Sequence, residues 1–202
     1  MQGGKGNERG EIMARNHDFY EEIAKSVRSS AKKMRDLTER MDKLREQKDS
    51  GDYSKDYIAK NINPELFSEK RVLDELKVAG MKEIQALCDS YTSELQDEDT
   101  LKGSELTDDA RLLSSGIKLN KNDLDAMLRR NEGNRTMTQL ILRHAEANKI
   151  DLGRIYMGNN PTIATIKSVP YISGIALKWY NNPDMVERFV GEGSDLEGAL
   201  SD

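Results

Sequence analysis

The sequence predicts an all-α protein, and three observations support this prediction. Of the 202 residues, 33% are charged and 5% are aromatic, which suits long, half-solvated helices better than a thick multilayer core. Apolar residues recur at helical spacings of three and four between residues 13 and 48. Only four prolines occur and none precedes Pro64, so nothing in the sequence breaks a long opening helix.

The opening segment has the pattern of a coiled-coil helix. Residues 1–10 are Gly-rich and are predicted to be disordered. A helix is predicted from about Glu11 to Lys48, roughly 57 Å long at 1.5 Å per residue. Because an isolated helix cannot bury an apolar stripe, a partner is required. The predicted helix–helix contact residues are Met13, Tyr20, Ile23, Val27, Met34, Leu37, Met41 and Leu44.

A second long helix supplies a partner within the chain, so that residues 11–99 are expected to form a helical hairpin or coiled coil. It is predicted from Pro64, with Asn63 as its N-cap, to about Gln96. Residues 61–110 carry a net charge of −8, whereas Lys25–Lys48 carries +5, so an antiparallel hairpin would pair opposite charges. Gly80 costs about 1 kcal/mol relative to Ala in mid-helix and predicts a close crossing or a kink.

Contacts between copies of the chain would bury the same stripe. In a parallel homodimer, however, Arg40 would face Arg45 and Lys33 would face Thr38, and neither pair attracts. Packing within the chain and self-association therefore both remain open. If the stripe joins separate chains, Leu37→Asp should abolish the oligomer or the partner complex.

Residues 100–155 are predicted to form a compact segment of three short helices. Thr107 begins the first helix and Asn120 caps the second. The third begins near Asn134 or Thr136, where a capping box could form, and ends at about residue 148.

Residues 156–190 are predicted to be an amphipathic helical tail that is kinked or split at Pro170, with helix starts at Asn160 and Asn182. Residues 191–202 are acidic and Gly-rich and are expected to be disordered. The apolar face predicted for the tail comprises Ile163, Ile166, Val169, Ile172, Ile175, Ala176 and Trp179.

The sequence offers no catalytic, cofactor-binding or metal-binding motif, so an enzyme is not expected. His17 and His144 have no second ligand at metal-binding spacing. Cys88 is the only cysteine, which excludes a disulfide scaffold, fits a reducing compartment and favours a buried thiol over a nucleophile. No span of about 20 apolar residues predicts a membrane helix.

A DNA-binding regulator is the alternative function. Residues 121–148 have a spacing similar to a helix-turn-helix, and Arg129, Arg130, Arg135 and Arg143 could contact nucleic acid. The net charge of −5 and the scarcity of base-reading side chains favour an ordinary αα-hairpin, so nucleic acid is not the expected partner.

The run from Leu113 to Arg143, including its Asn-Arg-Thr-Met stretch, and the segment Gly51–Tyr57 resemble helical proteins of tailed phages and prophages of Gram-positive bacteria. The resemblance covers residues 50–155 and implies a role in the virion or its assembly, such as a capsid scaffold, with no catalytic residues. We therefore expect a non-enzymatic assembly or scaffolding protein that binds itself or a larger protein partner. Its expected location is the host-cell cytoplasm or the virion.

Overall fold

The computed structural model describes residues 5–153 and 158–201, and it confirms the all-α prediction, since no strand occurs in these residues. The chain divides into two compact units. The hairpin unit comprises Arg15–Tyr91 and Thr165–Asp202, and the short-helix unit comprises Met1–Ala14 and Thr92–Ala164. The helices are α1 (Lys5–Asp49), α2 (Lys55–Tyr57), α3 (Asn63–Glu98), α4 (Asp108–Ser114), α5 (Lys121–Arg130), α6 (Arg135–Ala147), α7 (Asn160–Ile166), α8 (Val169–Lys178), α9 (Pro183–Val190) and α10 (Asp195–Ser201).

Helices α1 and α3 form an antiparallel pair within the hairpin unit. Near one end, the ring of Phe19 stacks on that of Tyr91 with centroids 4.5 Å apart. Near the other end, Arg40 lies 3.7 Å from the Glu69 carboxylate. Later residues of α1 thus meet earlier residues of α3, which is the arrangement that the opposite charges of the two segments predict.

The connection between the long helices differs from the prediction at Asn63. This residue is helical (φ −64°, ψ −43°) and is not an N-cap, because a π-helical turn at Ile58–Ile62 leads without a break into α3. The backbone N–H of Asn63 donates to the carbonyl of Ile58. In an α-helix, the ring of Pro64 would clash with the carbonyl four residues earlier, and the wider turn relieves that clash.

The C-terminal helices are part of the hairpin unit and not a separate tail. The Tyr20 hydroxyl donates to the carbonyl of Val190 at 3.1 Å. The Arg28 guanidinium makes a two-pronged contact with Glu187, with a shortest distance of 2.8 Å. Helix α1 is therefore held by α3 and also by the C-terminal segment.

Two disorder predictions are changed by the structure. Residues 195–201 form α10, because Leu196 and Leu200 lie one turn apart and are both buried, so the acidic end is not disordered there. Of the first ten residues, residues 1–4 lie outside the described part of the chain, and α1 begins at Lys5.

The short-helix unit confirms the three predicted helices between residues 107 and 148. Thr107 is the N-cap of α4. Asn120 forms a capping box with Asp123 at the start of α5. Asn134 caps α6 by accepting from the Met137 backbone N–H, so the capping box predicted at Thr136 is wrong. The core of this unit comprises Leu124, Met127, Leu128, Met137, Ile141, Leu142, Ala145 and Leu152.

Candidate interaction surfaces

The apolar stripe of α1 is buried within the chain. Leu37, near the centre of the predicted contact, has only 1% of its surface exposed, and Leu44 is half-buried. The backbone of Met13 lies in α1, but its side chain lies outside the described part of the structure. The stripe residues that are buried are Tyr20, Ile23, Val27, Met34, Leu37 and Met41. In this fold the stripe is therefore not available to a second chain.

Polar contacts fix the C-terminal segment against the other side of α1. The hydrogen bonds from Arg28 lower the pKa of Glu187, because they stabilise its carboxylate. Burial raises the pKa of the Tyr20 phenol, whose proton is donated to Val190. The Arg35 guanidinium also donates to the backbone carbonyl of Tyr180 at 3.2 Å. These contacts position α8–α10 and leave one side of α8 facing solvent.

The arginines proposed for nucleic-acid contact are largely engaged within the short-helix unit. Arg130 binds the Asp109 carboxylate at 2.8 Å, and this bond lowers the pKa of Asp109. Arg135 binds Glu98 at 2.9 Å. Arg129 and Arg143 are exposed and lie on different helices, α5 and α6.

The first turns of α6 face the protein interior. Thr136, Met137 and Gln139 are buried, although these early positions of a recognition helix would have to reach base edges. Thr136 instead accepts from the Lys102 backbone N–H at 3.1 Å and donates to Glu105 at 2.6 Å. Its polar groups thus hold the loop before α4, and α6 would have to unpack to enter a groove of DNA.

A cavity of about 530 Å³ lies in the short-helix unit beside α6. Its wall combines apolar side chains with the charged groups of Asp99, Arg143, Glu146 and Asp151. The Asp99 carboxylate accepts from the Asn159 backbone N–H at 2.7 Å. The Gln139 amide satisfies both neighbours when its nitrogen faces the Asp99 carbonyl and its oxygen faces the Arg143 guanidinium. Three polar residues of this wall, Asp99, Gln139 and Arg143, therefore bind one another.

The single cysteine is buried, and the described residues contain no cluster of metal-binding side chains. Burial raises the pKa of the Cys88 thiol to about 11, so the thiol stays protonated and inert near neutral pH. Among the described residues, no group of three or more His, Cys, Asp or Glu side chains is arranged to hold a metal ion.

Three aromatic side chains are exposed where the hairpin turns; we call Tyr53, Tyr57 and Phe67 the turn-end aromatics. The rings of Tyr53 and Tyr57 stack with centroids 5.1 Å apart. Phe67, in the second turn of α3, has 73% of its surface exposed. Exposed aromatic side chains of this size are enriched where proteins bind other proteins.

A second exposed apolar surface lies on the solvent side of α8; we call Tyr171, Ile175, Lys178 and Trp179 the α8 face. Tyr171 is 74% exposed and Trp179 is 49% exposed. The opposite side of α8 is buried, and Gly174 packs near Met81 of α3. Both sides of this helix are apolar, although among the described residues only the buried side is covered by other parts of the chain.

The comparisons with known proteins provide no family assignment: no family model, curated protein or solved structure matches this chain. Within the described residues, none of the helices combines the length and apolar character needed to cross a bilayer.

Sequence reasoning did not identify the two exposed aromatic surfaces. Trp179, Ile172 and Ile175 belong to the single apolar face predicted for the tail, yet Trp179 is half exposed and both isoleucines are only half-buried. The signal that could have revealed the α8 face is its composition, because Lys178 is the only charged residue in Val169–Lys178. A helix that is apolar on all sides is normally covered on all sides.

Proposed function

We propose that this protein is a non-enzymatic assembly protein that binds other components of a larger structure through exposed helical surfaces. The observation that carries this proposal is the exposure of Phe67 (73%) together with the stacked pair Tyr53 and Tyr57 at the turn of the hairpin. Large apolar side chains left in water are costly for a monomer and become favourable when a partner covers them.

The hairpin is suited to present these side chains. Helices α1 and α3 are long, and they are held by ring stacking near one end, by an ion pair near the other end and by the C-terminal helices. A binding group on such a scaffold loses little conformational freedom when a partner binds, which favours affinity. The role therefore differs from the one predicted for the α1 stripe: that stripe stabilises the chain, and the contacts with partners use other side chains.

The resemblance to helical proteins of tailed phages and prophages supports a place for this chain in particle assembly, as a scaffold or another morphogenesis factor. The segment Gly51–Tyr57, which carries part of that resemblance, includes two of the turn-end aromatics. Because the arginines at Arg130 and Arg135 bind carboxylates of their own unit, we expect the partner to be a protein and not DNA.

Site-specific photo-cross-linking in the producing cells tests this function. The full chain carries a photoreactive phenylalanine analogue at position 67 or, as a matched control on the same helix, at the exposed position Glu83. We expect position 67, and not position 83, to cross-link to one structural protein of an assembly, identified by mass spectrometry. A cross-link to an enzyme or to nucleic acid, or no cross-link at position 67, would contradict the proposed function.

A further inference from the structure

Helix α8 lacks the polar side that a helix at a protein surface normally has. Of its ten residues, Lys178 alone is charged. Val169, Ser173, Ala176 and Leu177 are buried. Surface helices usually carry charged side chains opposite their buried side, so the composition of α8 is that of a helix covered from both directions.

The α8 face consists of side chains that project together from the helix. Tyr171, Ile175 and Lys178 follow one another at spacings of four and three residues, which places them on one side of an α-helix. Trp179 caps the C-terminal end of α8. Tyr171 is 74% exposed and Trp179 is 49% exposed. Aromatic side chains dominate the energetics of many protein interfaces, so this is a surface suited to a partner.

The charged side chains closest in sequence to the α8 face are basic. The segment from Leu152 to Pro183 contains no acidic residue, and its lysines are Lys167 and Lys178. On the adjacent helix α3, the Lys77 ammonium lies 5.9 Å from the centre of the Tyr180 ring and is paired with the Asp74 carboxylate at 3.6 Å. A partner that placed its own lysines opposite these would be repelled, whereas one that placed aromatic rings opposite them would be attracted.

We propose that the α8 face is an interface between two copies of this chain, in which the two α8 helices pack antiparallel. Tyr171 and Lys178 lie at equal distances on either side of the midpoint between Gly174 and Ile175. Antiparallel packing about that midpoint places Tyr171 of each copy opposite Lys178 of the other. Each ammonium then meets an aromatic ring, and Ile175 of each copy lies at the centre of the contact.

The same geometry keeps the like charges apart. At 1.5 Å per residue, the two Lys178 positions are separated by roughly 10 Å along the helix axes. This is about one Debye length at physiological ionic strength, so their repulsion is largely screened. A parallel arrangement would instead place lysine against lysine and leave each tyrosine opposite the other.

The size of the surface predicts a weak dimer. The exposed parts of Tyr171, Trp179 and Ile175 amount to roughly 300 Å² per copy, less than half of the roughly 800 Å² that a stable interface takes from each partner. The contact should therefore form at high protein concentration or when other contacts hold many copies together. This inference concerns a surface other than the turn-end aromatics and does not rest on the proposed function.

Sedimentation of the full chain, combined with tryptophan emission, tests the proposal, because Trp179 is the only tryptophan in the sequence. Over a range from low to high micromolar concentration, we expect the mean mass to rise towards that of a dimer. Emission should shift to shorter wavelength over the same range, since pairing removes water from the indole. A monomer throughout, with unchanged emission, would overturn the proposal.

Variants at the α8 face test the register. Tyr171→Lys opposes like charges and should abolish the rise in mass, with helicity by circular dichroism unchanged because Tyr171 is exposed. The double variant Tyr171→Lys/Lys178→Glu should restore it by pairing opposite charges between copies. Ile117→Lys changes an exposed apolar side chain that belongs to neither named surface; it is the matched control and should dimerise like the unchanged chain.

Further measurements distinguish binding to a second copy of this chain from binding to other partners. Anionic phospholipid vesicles and poly-glutamate are each added to the chain while Trp179 emission is recorded. If one of them shifts the emission while the free chain stays monomeric, the proposal is overturned and the α8 face is assigned to that class of partner. If Tyr171→Lys lowers helicity, Lys178→Glu alone is used; it changes an exposed side chain and should reduce dimerisation at least threefold. Cross-linking at Phe67 should be unaffected by either variant, so the outcomes of the two experiments remain distinct.

Discussion

Gly80 of α3 packs directly against Ser30 of α1. A methyl group built on Gly80 would lie 3.0 Å from the Ser30 hydroxyl oxygen and 3.2 Å from its Cβ, and 3.5 Å from Leu177 of α8. Two long helices therefore approach closely at this point, and a third helix covers the crossing. The close crossing predicted from the isolated mid-helix glycine is confirmed.

The first prediction concerns this crossing. Gly80→Leu should lower the free energy of unfolding by about 3 kcal/mol, because the added side chain forces α1 and α8 away from α3. Ala79→Leu, which adds an apolar side chain at the neighbouring exposed position, should change it by less than about 0.5 kcal/mol. Urea unfolding followed by circular dichroism measures both. Equal effects of the two variants would show that the helices do not meet at Gly80.

The second prediction concerns Leu37, at the centre of the α1 stripe. Because Leu37 is 1% exposed in a single chain, Leu37→Asp should destabilise the fold by about 4 kcal/mol or more and should not merely dissociate a complex. The variant should lose helical circular dichroism at lower urea concentration. Lys33→Asp, an exposed substitution on the same helix, is the control. A folded, fully helical Leu37→Asp chain would show instead that the stripe serves contacts between chains.

The sequence allowed the fold to be predicted where local signals determine structure. Asn120 and Asn182 each accept a hydrogen bond from the backbone of the following turn, and residue type alone predicts both helix starts. At Asn63 the same reasoning failed. The chain is already helical before Asn63, and the π-helical turn accommodates the ring of Pro64, so the helix continues without a new N-cap.

The exposed surfaces are harder to predict than the helices. A periodic pattern shows which residues lie on the same side of a helix, but it does not show what covers that side. The pattern from Ile163 to Trp179 implied one continuous face, but the helix breaks between Ile166 and Val169. Within α8 itself, six residues of about 100° each separate Val169 from Ile175, so Ile175 lies about 120° around the helix from the buried side that holds Val169. For α1, the stripe was correctly identified, yet only the three-dimensional structure assigns its partner to the same chain.

The third prediction concerns pH and the contact between Arg28 and Glu187. The pKa of Glu187 is lowered from its usual 4.5, so the stabilisation is present above that value and is lost as the pH falls through the lowered pKa. Both side chains are partly exposed, so Glu187→Gln should cost at most about 1 kcal/mol at neutral pH. From about pH 5 to pH 3, stability should fall less in this variant than in the unchanged chain. If the free energy of unfolding changes with pH equally in the variant and in the unchanged chain, the contact between Arg28 and Glu187 does not contribute to stability.

The last prediction concerns Asn131, which joins α4 to α5. Its side-chain nitrogen donates to the Asp109 carboxylate at 2.7 Å and to the Met127 carbonyl at 2.9 Å, and its oxygen accepts from the Thr107 hydroxyl at 2.9 Å. Because Asn131 is buried, Asn131→Ala leaves these groups without a partner and should lower the free energy of unfolding by about 2 kcal/mol. Glu132→Ala, at the next and exposed position, should change it by less than about 0.5 kcal/mol.

Asn131→Asp separates the donor role of this side chain from its acceptor role. The carboxylate can still accept from Thr107, but it loses both donors and faces the carboxylate of Asp109. At neutral pH we expect it to destabilise the protein at least as much as Asn131→Ala does. The difference from the unchanged chain should shrink as the pH falls towards about 4, because one of the two facing carboxyl groups then takes up a proton and donates to the other. If the loss of stability caused by Asn131→Asp is the same at all pH values, Asp109 does not face residue 131.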